Sequence, residues 1–154
     1  MLVEKAYKII GGYTPIPADC GRLCNRACCK GGENDGMMLF PGEEKLLHGN
    51  ADFRIEEREI DATAVFFAVC EGHCNREERP LSCRIYPFVL RGERLSLDSR
   101  AKYRCPLCAS EAQRYVSQRF LRRVRRALML LAGRHSEFFR KWQKALAEYD
   151  KFLS

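Results

Sequence analysis

The residues with the clearest chemical potential in this chain are nine cysteines, and they are clustered. They form a group of four within ten residues, a group of three within fourteen and a C-x-x-C pair: Cys20, Cys24, Cys28 and Cys29; Cys70, Cys74 and Cys83; Cys105 and Cys108. Thiols that served only as small core residues would have no reason to cluster. Because thiolate sulfur is a preferred ligand of zinc and of iron–sulfur clusters, the spacing predicts metal binding.

The context of the cysteines favours ligation over disulfide bonding. Residues 1–5 lack the basic region, apolar region and cleavage site of a secretory signal. Cytosolic proteins rarely keep structural disulfides, so we expect a cytoplasmic protein with metal-bound thiolates. The longest unbroken apolar run, residues 64–70, is too short to cross a bilayer, and no membrane partner is expected.

Three segments resemble a known family. Residues 20–29 (CGRLCNRACC) and 79–88 (RPLSCRIYPF) are similar to the two signature blocks of YkgJ-like cysteine-cluster proteins, which are described as zinc- or iron-chelating domains. Residues 36–44 (GMMLFPGEE) resemble the segment between those blocks. The first cysteines stand further apart here than in most of the family, and Cys70 and Cys74 stand closer. The resemblance implies eight metal ligands: Cys20, Cys24, Cys28, Cys29, Cys70, Cys74, Cys83 and Cys105. Cys108 is an additional candidate ligand.

The function predicted from these residues is metal chelation, with the metal in a structural role. Zinc is the preferred ion, and iron or a [4Fe–4S] cluster is the alternative. One further hypothesis is an iron–sulfur redox or accessory module for an enzyme such as a protein lysine methylase. Another is a zinc-supported adaptor that binds nucleic acid or a protein partner. No G-x-S-x-G, P-loop or G-x-G-x-x-G motif occurs, so no catalytic residue is predicted and a non-enzymatic role is favoured.

The charge of the chain is concentrated near its end. Residues 1–108 carry 16 Lys/Arg and 16 Asp/Glu, whereas residues 109–154 carry 11 and 4, which accounts for the net charge of +7. Four arginines are candidates for anion binding: Arg119, Arg122, Arg123 and Arg126. A solvated helix face is the simpler interpretation of the same four residues. Tyr115 is the nearby aromatic residue that could stack on a nucleic-acid base.

The elements that must position these residues indicate a small α+β domain of short helices and hairpins with two C-terminal amphipathic helices. We expect helices over residues 1–10, 20–30 and 41–47, strands over 53–56 and 64–69, and a hairpin joining 88–90 to 94–97. Apolar residues at helical spacing predict the last two helices, the first ending at Gly133: Val116, Phe120, Val124, Leu128 and Leu131; Phe138, Trp142, Leu146, Tyr149 and Leu153. Residues 1–108 would form the metal-binding body and residues 109–154 a basic helical hairpin packed on it, in one compact domain.

Overall fold

Helices and small antiparallel sheets make up the chain, which confirms the α+β class. A computed structural model describes residues 1–17, 36–71 and 75–153, without the side chains of Arg76 and Tyr103. The helix predicted over residues 20–30 lies outside the described residues. The described helices are α1 (Leu2–Ile10), α2 (Glu43–Leu47), α3 (Leu81–Ile85), α4 (Ser110–Gln113), α5 (Gln118–Arg134) and α6 (Ser136–Leu153), with 3₁₀ turns at Arg76–Glu78, Ser99–Tyr103 and Pro106–Cys108.

Helix α1 forms as predicted because its apolar residues share one face. Val3, Ala6 and Ile10 follow helical spacing and are all buried. The helix ends at Gly11, whose φ of 56° is a conformation that glycine adopts without steric cost. The buried face packs mainly against α5, so the two ends of the described chain meet in one core.

Two antiparallel sheets carry the strands of the described residues. The first sheet has the strand order β1 (Gly36–Met38), β3 (Thr63–Cys70) and β2 (Phe53–Ile60). In the turn between β2 and β3, Asp61 has a φ of 49° and Ala62 a φ of 60°. Strand β2 is longer than predicted, because the mostly charged residues after Glu56 pair with the first half of β3, from Thr63 to Phe66. The second sheet is the predicted hairpin of β4 (Phe88–Arg91) and β5 (Arg94–Leu97), with Gly92 in its two-residue turn.

The two C-terminal helices are present, and most of their predicted apolar stripes are buried. In α5, Val124, Leu128 and Leu131 are each 0% exposed. The helix continues through Gly133 to Arg134, so the predicted end at Gly133 is wrong by one residue. A glycine costs a helix only about 1 kcal/mol, which packing offsets.

The predicted stripe of α6 is wrong at its last two positions. Phe139, Trp142 and Leu146 are buried, but Tyr149 and Leu153 are 47% and 39% exposed. The final turns of the helix extend past the core, and the Tyr149 ring lies instead beneath the Arg100 guanidinium, 5.1 Å away.

The main hydrophobic core draws on α1, α3, β4, α5 and α6. Phe40 lies at its centre, where it contacts the rings of Phe138, Phe139 and Trp142. A smaller core lies under the first sheet and includes Leu39, Leu47, Phe53, Ala68 and Cys70. The division into a body and a helical hairpin stays a prediction. Among the described helices, none combines the length and apolar character needed to span a bilayer.

Candidate metal centre

Four of the nine cysteines fall within the described residues. Cys70 is buried, whereas Cys83, Cys105 and Cys108 are half-buried, and all four are thiols. The remaining predicted ligands lie outside the described residues: Cys20, Cys24, Cys28, Cys29 and Cys74. Within the described part of the chain, no group of three or more His, Cys, Asp or Glu side chains is close enough to hold a metal ion.

Cys70 occupies the last position of β3, opposite Phe53 of β2. On the other side of β3, its neighbour Val69 pairs with Gly36, the first described residue after the segment that carries four cysteines. That pairing requires glycine, because a Cβ atom on Gly36 would lie 2.3 Å from the carbonyl oxygen of Ala68. The chain therefore re-enters the sheet at the end of β3 that carries Cys70.

The chain before that segment is held against the start of α5. The backbone N–H of Ser117, the N-cap of α5, donates to the carbonyl oxygen of Pro15 at 2.8 Å. The Tyr13 ring lies 4.2 Å from the Arg123 guanidinium. Segment 18–35 therefore connects two fixed points of the fold, one beside α5 and the other beside Cys70.

Cys83 lies in α3, within the block that resembles the cysteine-cluster family. Leu81 and Ser82 attach this helix to the segment around β1: the Leu81 N–H donates to a Glu43 carboxylate oxygen at 2.5 Å, and the Ser82 hydroxyl donates to the Met38 carbonyl at 2.6 Å. The structure therefore places residues 79–88 directly against residues 36–44. Two of the three segments that carry the resemblance are in contact.

Glu43 is the residue at this contact that sequence reasoning missed. Its side chain is 0% exposed, and its carboxylate accepts hydrogen bonds from the backbone N–H of Phe40 at 2.8 Å, from Leu81 and from the Tyr7 hydroxyl. The sequence indicated only an acidic residue at the start of a helix. Nothing in the local pattern distinguishes Glu43 from its neighbour Glu44, because the donors come from α1, from the chain after β1 and from α3.

The electrostatics of this cluster keep the Tyr7 phenol protonated as a donor. Burial raises the pKa of Glu43, and the hydrogen bonds from Leu81, Tyr7 and Phe40, together with the charge of Arg84, oppose that rise. Burial, and next the nearby Glu43 carboxylate, raise the pKa of Tyr7. The Arg84 guanidinium lies over the Tyr7 ring at 4.7 Å and donates to the Arg79 carbonyl at 3.1 Å. Glu43 therefore joins three separate segments beside Cys83.

Cys105 and Cys108 form a pair at a tight turn. Cys105 caps the 3₁₀ turn Pro106–Cys108, and the Cys108 N–H donates to the Cys105 carbonyl at 3.0 Å. The single turn between them therefore keeps the two cysteines close together. Burial, followed by the nearby Asp98 carboxylate, raises the pKa of the Cys108 thiol. Cys108 borders an open cleft of about 410 Å³ that Lys102 also lines.

The four predicted anion-binding arginines divide into two pairs. Arg119 and Arg123 lie against the Tyr13 ring, and Arg123 also donates to the Ile9 carbonyl at 2.7 Å. Arg122 and Arg126 are exposed. The structure thus gives the first pair contacts within the fold and leaves the second pair facing solvent.

The donor set suits a soft or borderline metal. Two neighbouring thiols supply half of a tetrahedral thiolate site, and two further ligands would complete it. Cys70 lies where β3 leads towards Cys74 and where the segment containing Cys20 to Cys29 rejoins the sheet.

Compared with family models, with curated proteins and with solved structures, the chain matches none.

Proposed function

We propose that the protein binds metal through the thiolates of its cysteine clusters, with zinc as the preferred ion and iron or an iron–sulfur cluster as the alternative. The observation that carries the proposal is the tight C-x-x-C turn, in which the Cys108 N–H donates to the Cys105 carbonyl at 3.0 Å. Such a pair places two soft donors within reach of one ion, as structural zinc sites require.

The position of Cys70 adds a second line of support. The sheet register brings the chain that follows the first cysteine group to the strand end occupied by Cys70. Ligands that are distant in sequence can therefore be close in space without any rearrangement of the sheet. The set implied by the resemblance to YkgJ-like proteins is eight cysteines: Cys20, Cys24, Cys28, Cys29, Cys70, Cys74, Cys83 and Cys105.

The chemistry that the metal would supply is cross-linking of the fold. A structural zinc–thiolate site contributes on the order of 10–16 kcal/mol, which matches or exceeds the roughly 5–15 kcal/mol net stability of a typical domain. Thiolate–metal bonds would tie the chain around β1 and α3 to the segment before Gly36. We therefore propose a structural metal in a metal-chelating protein.

The first test is elemental analysis of natively purified protein, with zinc, iron and sulfur measured per chain. The proposal expects at least one tightly bound metal ion per chain, and a brown colour in anaerobic preparations would assign iron–sulfur in place of zinc. Removal of the metal by a strong chelator should reduce the far-UV circular dichroism and expose the body to proteolysis. A metal-free protein that is fully folded would overturn the proposal.

The C-x-x-C pair offers a matched comparison within the ligand set. The resemblance assigns Cys105 as a ligand and Cys108 as the additional cysteine, although the two thiols are neighbours. If the assignment holds, Cys105→Ala lowers the metal content and Cys108→Ala does not. Loss of metal from both variants would make Cys108 a ligand as well, whereas full metal content in both would remove this turn from the centre.

A further inference from the structure

Helix α5 has a charge distribution that the fold does not need. Its 17 residues include six arginines and no acidic residue. Like charges three or four residues apart destabilise a helix, so folding alone would favour a mixture of signs. The stability of α5 comes instead from its apolar face, where Phe120, Val124 and Leu128 are each 0% exposed.

Some of these arginines have contacts within the protein. Arg123 donates to the Ile9 carbonyl and lies over Tyr13, and Arg125 donates to the Glu93 carbonyl at 2.9 Å. Arg122 and Arg126 are one helical turn apart and exposed, and they have no hydrogen bond or ion pair with another described residue. Two guanidinium groups therefore lie on one face of α5 with their donors available.

The neighbouring helix adds positive charge to the same region. Helix α1 packs on α5 and carries the exposed residues Lys5 and Lys8. Both of these packed helices therefore carry exposed cations, which favour the approach of an anion.

An exposed aromatic ring precedes the exposed arginines of α5. Tyr115 is 71% exposed, so it has no packing role, and it lies two residues before the N-cap of α5, next to the exposed Arg114. A ring in this position can stack on an unpaired base. Each guanidinium group can donate two parallel hydrogen bonds to the oxygens of one phosphate. Binding to a lipid surface would be assisted by exposed apolar residues, whereas the apolar stripe of α5 is buried in the core.

We infer that α5 binds single-stranded nucleic acid, with Arg122 and Arg126 on the phosphate backbone and Tyr115 stacked on a base. This binding surface, which we call the arginine face, consists of Tyr115, Arg122 and Arg126. It contains no cysteine, so the inference does not depend on the proposed metal function, and metal content is a separate measurement.

The test is fluorescence anisotropy with a labelled 15-nucleotide single strand of mixed sequence and its duplex, titrated with metal-replete protein at 50 and 200 mM salt. Each phosphate contact to a single strand contributes about 0.7 to the logarithmic salt slope. R122Q/R126Q should therefore reduce the slope by about 1.4, so that the wild type loses about sevenfold more affinity than the variant between the two salt concentrations. Y115A should weaken binding of the single strand about tenfold, with a smaller effect on the duplex.

A charge-matched control separates a specific surface from the overall positive charge. Arg94 and Arg140 are also exposed, and R94Q/R140Q removes the same charge elsewhere. Equal binding losses in R122Q/R126Q and R94Q/R140Q, or no binding at 50 mM salt, would overturn the inference. Tighter binding to poly-glutamate or to phosphatidylserine vesicles than to the oligonucleotide, through the same two arginines, would also overturn it. Circular dichroism melting of each variant confirms that the fold is intact.

Discussion

The buried carboxylate of Glu43 gives the sharpest prediction about the fold around the candidate centre. Glu43→Ala would leave the backbone N–H groups of Phe40 and Leu81 without an acceptor, and both are buried. Each unsatisfied buried donor costs about 1–3 kcal/mol, so the two together cost about 2–6 kcal/mol. The Tyr7 hydroxyl also loses its acceptor, and because it is only part-buried it adds less than either backbone donor. For a domain of this size the loss corresponds to a decrease in Tm of about 4–24 °C.

The assay is urea unfolding followed by circular dichroism, with the metal content of each sample measured beforehand. Glu44→Ala is the matched control, because it removes the adjacent carboxylate, which is not fully buried, and should cost less than about 0.5 kcal/mol. Glu43→Gln should be intermediate, since its amide nitrogen cannot accept the Phe40 N–H. If Glu43→Ala and Glu44→Ala unfold at the same urea concentration, the three hydrogen bonds do not stabilise the fold and the reasoning fails.

Three further predictions concern the same framework. Gly36→Ala should lower the free energy of unfolding by about 1–3 kcal/mol or more, because the new Cβ atom meets the Ala68 carbonyl. Gly133→Ala should raise the free energy of unfolding by up to about 1 kcal/mol, because the space around its Cβ atom is open. Equal melting temperatures of the two variants would contradict this prediction. Arg123→Ala should cost about 1.5–3 kcal/mol through loss of the Ile9 hydrogen bond and the Tyr13 contact, while Arg122→Ala costs less than about 0.5 kcal/mol, as thermal melts would show. Because the pKa of Glu43 is raised above 4.5 in the folded state, the folded protein keeps a proton that the unfolded chain releases. The stability that this bound proton contributes is complete below pH 4.5 and is lost as the pH rises through the folded-state pKa of Glu43. The stability difference between wild type and Glu43→Ala should therefore decrease over that pH range, and a difference that grows with pH would contradict the shift.

Local sequence patterns predicted the elements whose stability depends on their own residues. The apolar spacing from Val116 to Leu131 predicted α5, and the Arg91-Gly92-Glu93 turn predicted the second hairpin. The pattern could not predict the length of β2, because its later residues are charged and owe their strand structure to pairing with β3. It also overestimated the buried stripe of α6, since periodicity shows which face is apolar but not where the core ends.

The metal chemistry of the candidate centre stays a prediction from the sequence, whereas the arrangement of the described cysteines could not be predicted from it. Cysteine spacing and the resemblance to YkgJ-like proteins indicated which residues could bind metal. The position of Cys70 beside the returning chain depends on the pairing of Gly36 with Val69, which is a long-range contact without a local signal. Glu43 was missed for the same reason, because two of its three donors, Tyr7 and Leu81, are 36 and 38 residues away along the chain.

The packing of α1 on α5 sets the order in which the molecule can assemble during translation. Ile9 and Arg123, which are joined by a hydrogen bond, are 114 residues apart. At about 5–20 residues per second, the ribosome needs about 6–23 s to make the intervening chain, and throughout that time α1 lacks α5, its main packing partner. All nine cysteines are synthesised within the same interval, before α5. If the chain binds metal as proposed, ligation by the nascent polypeptide would precede the docking of the last two helices.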